Sequence, residues 1–330
     1  MDDLIRLPQP ARVALIGECM IELRHLAADR LAVGYAGDVF NTAAYLARSA
    51  APGEVDVQFA TVTGDDPYSA AMREHWRTYG VGDALSRTRP GGKAGLYLIR
   101  TDERGERTFQ HYRRESAARG LFGPEQPAAL DAEIAGHDLV YLSGITLSIL
   151  TEAARERLVA VLADTRRRGG LVVYDSNYRA AGWASAAEAK RAADAVLRHT
   201  DIALPTFEDD RAVHGDRDAR ATVRRLSSAG VREIAVKLGG DGCLLSGGAA
   251  VVSVPAVPDV PVVDTTAAGD AFNGAYLAAR LAGGAPRHAA EAGCRLAAEV
   301  VGHPGALLPP LTDQAAQSSA PRNGRCSPAT

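Results

Sequence analysis

The stretch Asp264-Thr265-Thr266-Ala267-Ala268-Gly269-Asp270, followed by an apolar run over 271–281, places an acid beside a cluster of small residues. Small residues let the backbone turn tightly, and an acid on the first turn of the helix that follows lies next to amides with no intrahelical partner. That joins a base to an anion site. A reaction that moves a phosphoryl group onto a hydroxyl needs both, a base for the proton and fixed donors for the developing negative charge. Asp270 taken alone could equally be a helix cap or a residue that compensates the helix dipole. Other phosphate devices are missing from the chain: no G-x-x-x-x-G-K-S/T occurs, and no G-x-G-x-x-G follows a strand pattern. Neither a G-x-S-x-G elbow nor H-E-x-x-H appears.

The elements that must position these residues follow from periodicity. A continuously apolar strand over 12–17 ends at Gly17, and the polar-alternating stretch 20–24 reads as a half-exposed strand. Residues 34–38 form a glycine turn that opens a helix running to about 49, with Asn41 on its first turns. A strand over 55–63 and a helix over 67–79 come next. Runs of β pattern at 94–101 and 107–112, separated by Asp102-Glu103-Arg104-Gly105-Glu106, predict a hairpin. Together with 20–24 it is expected to form a small separate sheet over the main body. Strands at 138–142, 170–175, 201–204 and 233–237 then alternate with helices at 151–168, 185–199, 207–214 and 218–229. Edge strands at 243–246 and 251–254 and helices at 267–281 and 286–301 complete the pattern. Such alternation implies an α/β fold with a mostly parallel sheet covered on both faces, in which ligands bind beyond the carboxyl ends of the strands. From Thr312 the periodicity stops, and 312–330 is expected to be a disordered tail.

Composition narrows the partners. The 330 residues are 46% apolar and 23% charged, with mean hydropathy −0.10, as in ordinary soluble domains. A net charge of −3 provides no basic field for nucleic acid, and the triplet Arg166-Arg167-Arg168 suits a solvated helix end. Cys19, Cys243, Cys294 and Cys326 lie far apart with no C-x-x-C spacing, so neither a zinc site nor a disulfide framework is expected. The acidic start Met1-Asp2-Asp3-Leu4 and the lack of an apolar run near 18 residues point to a cytoplasmic protein with no membrane partner.

At full length, Asp264-Thr265-Thr266-Ala267-Ala268-Gly269-Asp270-Ala271-Phe272-Asn273-Gly274-Ala275-Tyr276-Leu277 resembles the C-terminal signature of the ribokinase-like (PfkB) carbohydrate kinases. Residues 34–41 resemble that family's N-terminal glycine turn and helix, and 237–242 its nucleotide-binding strand and loop. Ile16-Gly17-Glu18-Cys19-Met20-Ile21-Glu22-Leu23, Gly105-Glu106-Arg107-Thr108-Phe109, Tyr141-Leu142-Ser143-Gly144-Ile145 and Asp175-Ser176-Asn177-Tyr178-Arg179 resemble stretches of its 2-keto-3-deoxygluconate kinases.

The resemblance implies a ribokinase-like three-layer sandwich over 1–311, with a β lid from about 19–36 and 94–113. It implies ATP-dependent phosphorylation of 2-keto-3-deoxygluconate to its 6-phosphate. Asp270 would take the proton of the terminal hydroxyl, and Ala267, Ala268 and Gly269 would form the anion hole. Gly37, Asn41, Tyr97, Tyr112, Arg113 and Arg179 would contact the sugar acid, the two arginines meeting its carboxylate. Asn177, Lys237, Gly239, Gly240, Gly242 and Gly269 would hold ATP. Asp209 stands where the family's N-x-x-E motif organises Mg²⁺ through water, with Thr206 in place of Asn and Asp209 in place of Glu. Two further departures are Ala36 for the first Gly of the usual pair, and Gln110-His111 where related kinases carry aromatics. A kinase for ribose, fructose or a ketodeoxygalactonate, or a non-catalytic sugar sensor, are the alternatives. A nicotinamide-dependent dehydrogenase lacks its glycine fingerprint. Unpaired edges of the lid strands favour a homo-oligomer, a dimer or higher.

Overall fold

The computed structural model describes residues 7–27, 29–101, 107–247 and 250–310. The turn of the expected hairpin, 102–106, and the expected tail, 312–330, lie outside these residues. In chain order, β1 (Ala11–Ile16) leads to β2 (Met20–Ala27), β3 (Arg30–Ala36) and α1 (Asp38–Ser49). β4 (Val55–Ala60), β5 (Val62–Thr63), α2 (Pro67–Thr78) and β6 (Arg87–Thr88) precede β7 (Leu96–Thr101) and β8 (Arg107–Tyr112). Next come α3 (Ala128–Ala135), β9 (Leu139–Ser143), α4 (Gly144–Ile149), α5 (Glu152–Arg167), β10 (Leu171–Asp175) and α6 (Ala186–Leu197). β11 (Ile202–Ala203), α7 (Phe207–His214), α8 (Ala219–Ser228), β12 (Glu233–Lys237), β13 (Cys243–Ser246), β14 (Val251–Val254), α9 (Ala268–Leu281) and α10 (Pro286–Val301) complete the chain.

The central sheet has the order β14-β13-β12-β11-β10-β9-β1-β4. All its pairings are parallel except those of β13 with β12 and β14. Because strand side chains alternate, a strand buried on both faces must be apolar throughout. Val13 and Leu15 of β1 pack with Phe40, Phe59, Trp76 and Tyr276, while Ala14 and Ile16 pack on the opposite side with Leu142, Leu147 and Leu158. The expected three-layer α/β architecture is thus present.

The smaller sheet has the order β3-β2-β7-β8, with β2 and β7 parallel, and forms the lid. Three local expectations change. The strand expected over 55–63 splits, because Val62 and Thr63 leave the central sheet and pair with β6. Most of the expected turn at 34–38 is strand, since Gly34, Tyr35 and Ala36 pair with Glu22, Ile21 and Met20. The turn shrinks to Gly37, where a Cβ would lie 2.2 Å from the Glu18 carbonyl oxygen. Finally, the short helices α3 and α4 were not anticipated. A capping box of Ser143 and Thr146 starts α4 directly after β9.

Helices α1 and α9 approach closely because Gly274 has no side chain. A Cβ there would lie 2.6 Å from Tyr45 Cβ and 2.7 Å from the Leu46 amide. This contact brings the first turns of the two helices, and with them Asn41 and Asp270, to the same end of the sheet.

Candidate active site

Ala267 caps α9 in the left-handed region at φ 62°, and its carbonyl accepts the Ala271 amide at 2.8 Å. Asp264 fixes the preceding loop by accepting from the Thr266 amide at 3.1 Å and the Gly305 amide at 2.5 Å. The amides of the first helical turn have no intrahelical acceptor, so this end of α9 carries partial positive charge. Asp270 sits within that turn and is only 8% exposed. Asn41 Nδ2 donates to Asp270 Oδ2 at 2.8 Å. Burial and the nearby charges of Asp38 and Asp175 push the Asp270 carboxyl up to about 7, against the pull of Asn41 and Lys237. A carboxyl that titrates near neutrality is suited to general-base work.

Around it lies a buried network that the sequence reading missed. Lys237 Nζ, at the end of β12, donates to Asp175 Oδ2 at 2.8 Å and to Asn273 Oδ1 at 3.1 Å. Asn273 Nδ2 donates to Asp175 Oδ2 at 2.7 Å and lies 3.0 Å from the Tyr141 hydroxyl. Two signals for it were in the sequence: an acid closing the apolar strand Leu-Val-Val-Tyr-Asp, and an Asn amid the small and apolar residues in the middle of α9.

Two cavities meet at this network. One, of about 510 Å³, is the more polar of the two and lies between the lid and the carboxyl ends of the strands; Asp38, Asn41, Asp175 and Asp270 face it. The other, of about 580 Å³, is mainly apolar, with Val257, Val260, Phe272 and Ala298 among its walls. Thr206, Lys237, Thr265 and Gly269 line both.

The expected site residues divide between them. Gly37, Asn41, Tyr97, Arg179, Ala267 and Asp270 line the polar cavity, and Lys237, Gly239, Gly240, Gly242 and Ala268 the apolar one, with Gly269 and Lys237 at the junction. Asn177, expected at the nucleotide, lines the polar cavity instead, where its Nδ2 donates to Asp38 Oδ2 at 3.0 Å. Tyr112 lines neither cavity and is 53% exposed. Strand alternation turns His111 inward in its place, stacked on Tyr97 with ring centroids 5.5 Å apart. Burial and the Arg113 charge lower the proton affinity of His111, favouring the neutral ring. Arg113 also lines neither cavity; its guanidinium pairs with the buried carboxylate of Glu18. Asp209 lies outside both and pairs with Arg179 at 3.5 Å. Among the described residues no group of three or more His, Cys, Asp or Glu side chains is placed to hold a metal ion.

Comparison with known proteins agrees with this geometry. The family described as pfkB family carbohydrate kinase matches residues 10–313. The 2-dehydro-3-deoxygluconokinase of Escherichia coli K12 is 42% identical over 301 residues, covering 90% of this chain and 97% of that protein. The 2-dehydro-3-deoxygluconokinase structure from Thermotoga maritima superposes with a TM-score of 0.75 at 22% identity, over 90% of this chain and 94% of that one. An E. coli chain provisionally assigned as ribokinase II, solved with ATP and Mg²⁺, gives a TM-score of 0.77 at 20% identity, over 91% and 96%. The chain belongs to the pfkB family of carbohydrate kinases. Its enzymatic class is that of the ATP-dependent sugar kinases, which transfer a phosphoryl group to an alcohol. No helix among the described residues is long and apolar enough to cross a membrane.

Proposed function

We propose that this enzyme uses ATP to phosphorylate 2-keto-3-deoxygluconate (2-dehydro-3-deoxygluconate) on its terminal hydroxyl, giving the 6-phosphate, in the cytoplasm. The observation that carries the reading is the meeting of a more polar and a mainly apolar cavity at Gly269 and Lys237, with Asp270 on the more polar side. The name of the E. coli relative supports the choice of sugar acid.

The apolar cavity suits the adenosine end of ATP, and the amides of Ala267, Ala268 and Gly269 suit the phosphoryl group in flight. Asp270 removes the proton of the attacking hydroxyl, and Asn41 holds the carboxylate in place through its hydrogen bond. Lys237, already anchored by Asp175, brings a fixed positive charge to the junction. At the exposed mouth, Arg179 is the cation for the acceptor's carboxylate: its pairing with Asp209 at 3.5 Å is open to solvent and can be exchanged, whereas Arg113 is held by the buried Glu18. Tyr97, His111 and the rest of the lid cover the sugar and exclude water. The donors present suit magnesium that arrives with the triphosphate, since that ion is commonly bound by few carboxylates plus phosphates. Asp209 would reach it through water.

A coupled assay of ADP release over sugars and sugar acids tests the substrate. Turnover of ribose or fructose equal to or better than that of the ketodeoxy acid refutes the assignment. Asp270→Asn is expected to lower kcat on the order of 10²–10⁴-fold while substrate still binds. Unchanged turnover removes Asp270 as the base.

A further inference from the structure

The loop that leaves β10 carries Arg179, and behind that loop lies a third, much smaller cavity of about 20 Å³, enclosed by the loop and helices α6, α7 and α8. Apolar side chains, Ala193 and Leu226 among them, form much of its wall. Four polar atoms interrupt it: Ser176 Oγ and Trp183 Nε1 on the loop, and Asp210 Oδ2 and His214 Nδ1 on α7. None of the four has a hydrogen-bond partner among the described residues. Asp210 is only 2% exposed and the His214 side chain 4%, so bulk solvent does not serve them. Buried polar atoms in native proteins are almost always paired, with protein or with ordered water.

Neighbouring groups do not supply the missing bonds. Arg225 donates to the other Asp210 oxygen, Oδ1, and is itself held by Asp216 at 2.9 Å. Asp194 lies 3.9 Å from His214 Nδ1, beyond hydrogen-bond reach. Arg155 sits over the Trp183 ring at 4.8 Å, which fixes the indole but gives its N–H no acceptor. The four atoms also select what can join them. An indole N–H only donates and an ionised carboxylate only accepts. A cation cannot accept from the first, and an anion cannot donate to the second. Water does both, and the space holds one molecule. Burial and the Arg225 charge lower the proton affinity of His214 to about 4, so its ring is neutral and Nδ1 can take either part.

The segment fastened here is short. The Gly182 amide donates to the Arg179 carbonyl at 2.9 Å, and the Trp183 amide to that of Ala180 at 3.1 Å, so Trp183 and Arg179 share one tight turn. At the surface, Asp209 takes the Tyr178 amide and pairs with the Arg179 guanidinium at 3.5 Å. That contact is open to exchange, which leaves the buried side of the loop to hold its place against α7.

We propose that the small cavity holds one ordered water bridging Trp183 and Ser176 to Asp210 and His214, and that through it Trp183 is a positioning residue for Arg179. The second half rests on the reading of Arg179 as the cation for the acceptor's carboxylate. Asp216 and Arg225 fix Asp210, the water carries that position to Trp183, and the tight turn carries it to Arg179.

A crystal structure of the full chain that shows ordered solvent should place a water within hydrogen-bond distance of both Trp183 Nε1 and Asp210 Oδ2. No such water overturns the site. Trp183→Phe keeps a ring over Arg155 and removes only the indole and its N–H. It should raise the acceptor KM roughly three- to ten-fold, as loss of one hydrogen bond does, with kcat and the ATP KM within about two-fold of the wild type. In an Arg179→Ala background the same substitution should cause no further rise, because the two residues act in series. An unchanged acceptor KM in the single variant, or the same rise in both backgrounds, overturns the positioning role. So does a rise of both KM values together, the mark of a purely structural effect. Should Trp183→Phe not fold, Ser176→Ala removes another partner of the water and is read in the same cycle by the same outcomes. A wild type that accepts no sugar acid, or an Arg179→Ala variant with the wild-type acceptor KM, refutes the reading of Arg179 and the positioning role with it. The crystal structure still decides the water site in that case.

Discussion

The proton affinity of Asp270 has a cost that can be measured without any substrate. Burial and the charge of Asp38 raise its carboxyl from 3.8 to about 7, so the folded protein keeps a proton that the unfolded chain has already lost over that interval. Stability contributed by this group is complete below about pH 4 and declines as pH rises to about 7, where both states are ionised and the loss levels off. At about 1.4 kcal/mol per pH unit, the interval sets an upper bound of about 4 kcal/mol. Relaxation of Asp175 and Lys237 around the charged form reduces this, and about 2 kcal/mol is the working expectation. Asp270→Asn cannot ionise, and its carbonyl still accepts the Asn41 hydrogen bond. Without ligands at pH 8 it should be the more stable protein by about 2 kcal/mol, or about 3 °C in Tm for a domain of this size. Thermal melts from pH 4.5 to 8 should show the advantage growing with pH and flattening above about 7. A variant no more stable than the wild type at pH 8, or an advantage as large at pH 4.5, refutes the account of Asp270 as an acid strained by burial.

The two arginines should separate. Arg113→Ala leaves the Glu18 carboxylate, 1% exposed, without its ion-pair partner and should cost about 3–5 kcal/mol of stability; an unchanged Tm with a raised acceptor KM would instead make Arg113 a substrate contact. Arg179→Ala, on a largely exposed side chain, should leave Tm unaltered and raise the KM for the sugar acid roughly ten-fold or more, as loss of a charged hydrogen-bond partner does. The outer face of the lid exposes Leu31, Val33 and Tyr112, which a second copy of the chain would cover. Light scattering is expected to show a dimer or larger assembly, and a monomer at working concentration removes that proposal.

Local pattern carried much of the fold. β12, β13, β14, α7 and α10 begin and end where periodicity and breakers place them, and three of the four lid strands follow from their pattern, β3 having been read only as a turn over 34–38. These features depend on residues close together in the chain. What escaped sequence reading depends on distance or on a single step of register. That His111 lines the cavity and Tyr112 does not turns on a single residue of register, which in a strand exchanges the two faces. Nothing local reveals that Arg113 pairs with Glu18, 95 positions earlier. Asp175, Lys237 and Asn273 are unremarkable one by one, and become a network only when β10, β12 and α9 end at the same place. The motif around Asp270 was legible because a helix start and its amides are local. The raised proton affinity of Asp270 was not, since it arises from burial in the assembled cavity and from Asp38 and Asp175, acids contributed by other elements. The motif therefore locates the carboxyl, but its proton affinity is a property of the assembled cavity, and substitutions outside the motif, at Asp38 and Asp175, are where that affinity should be tested.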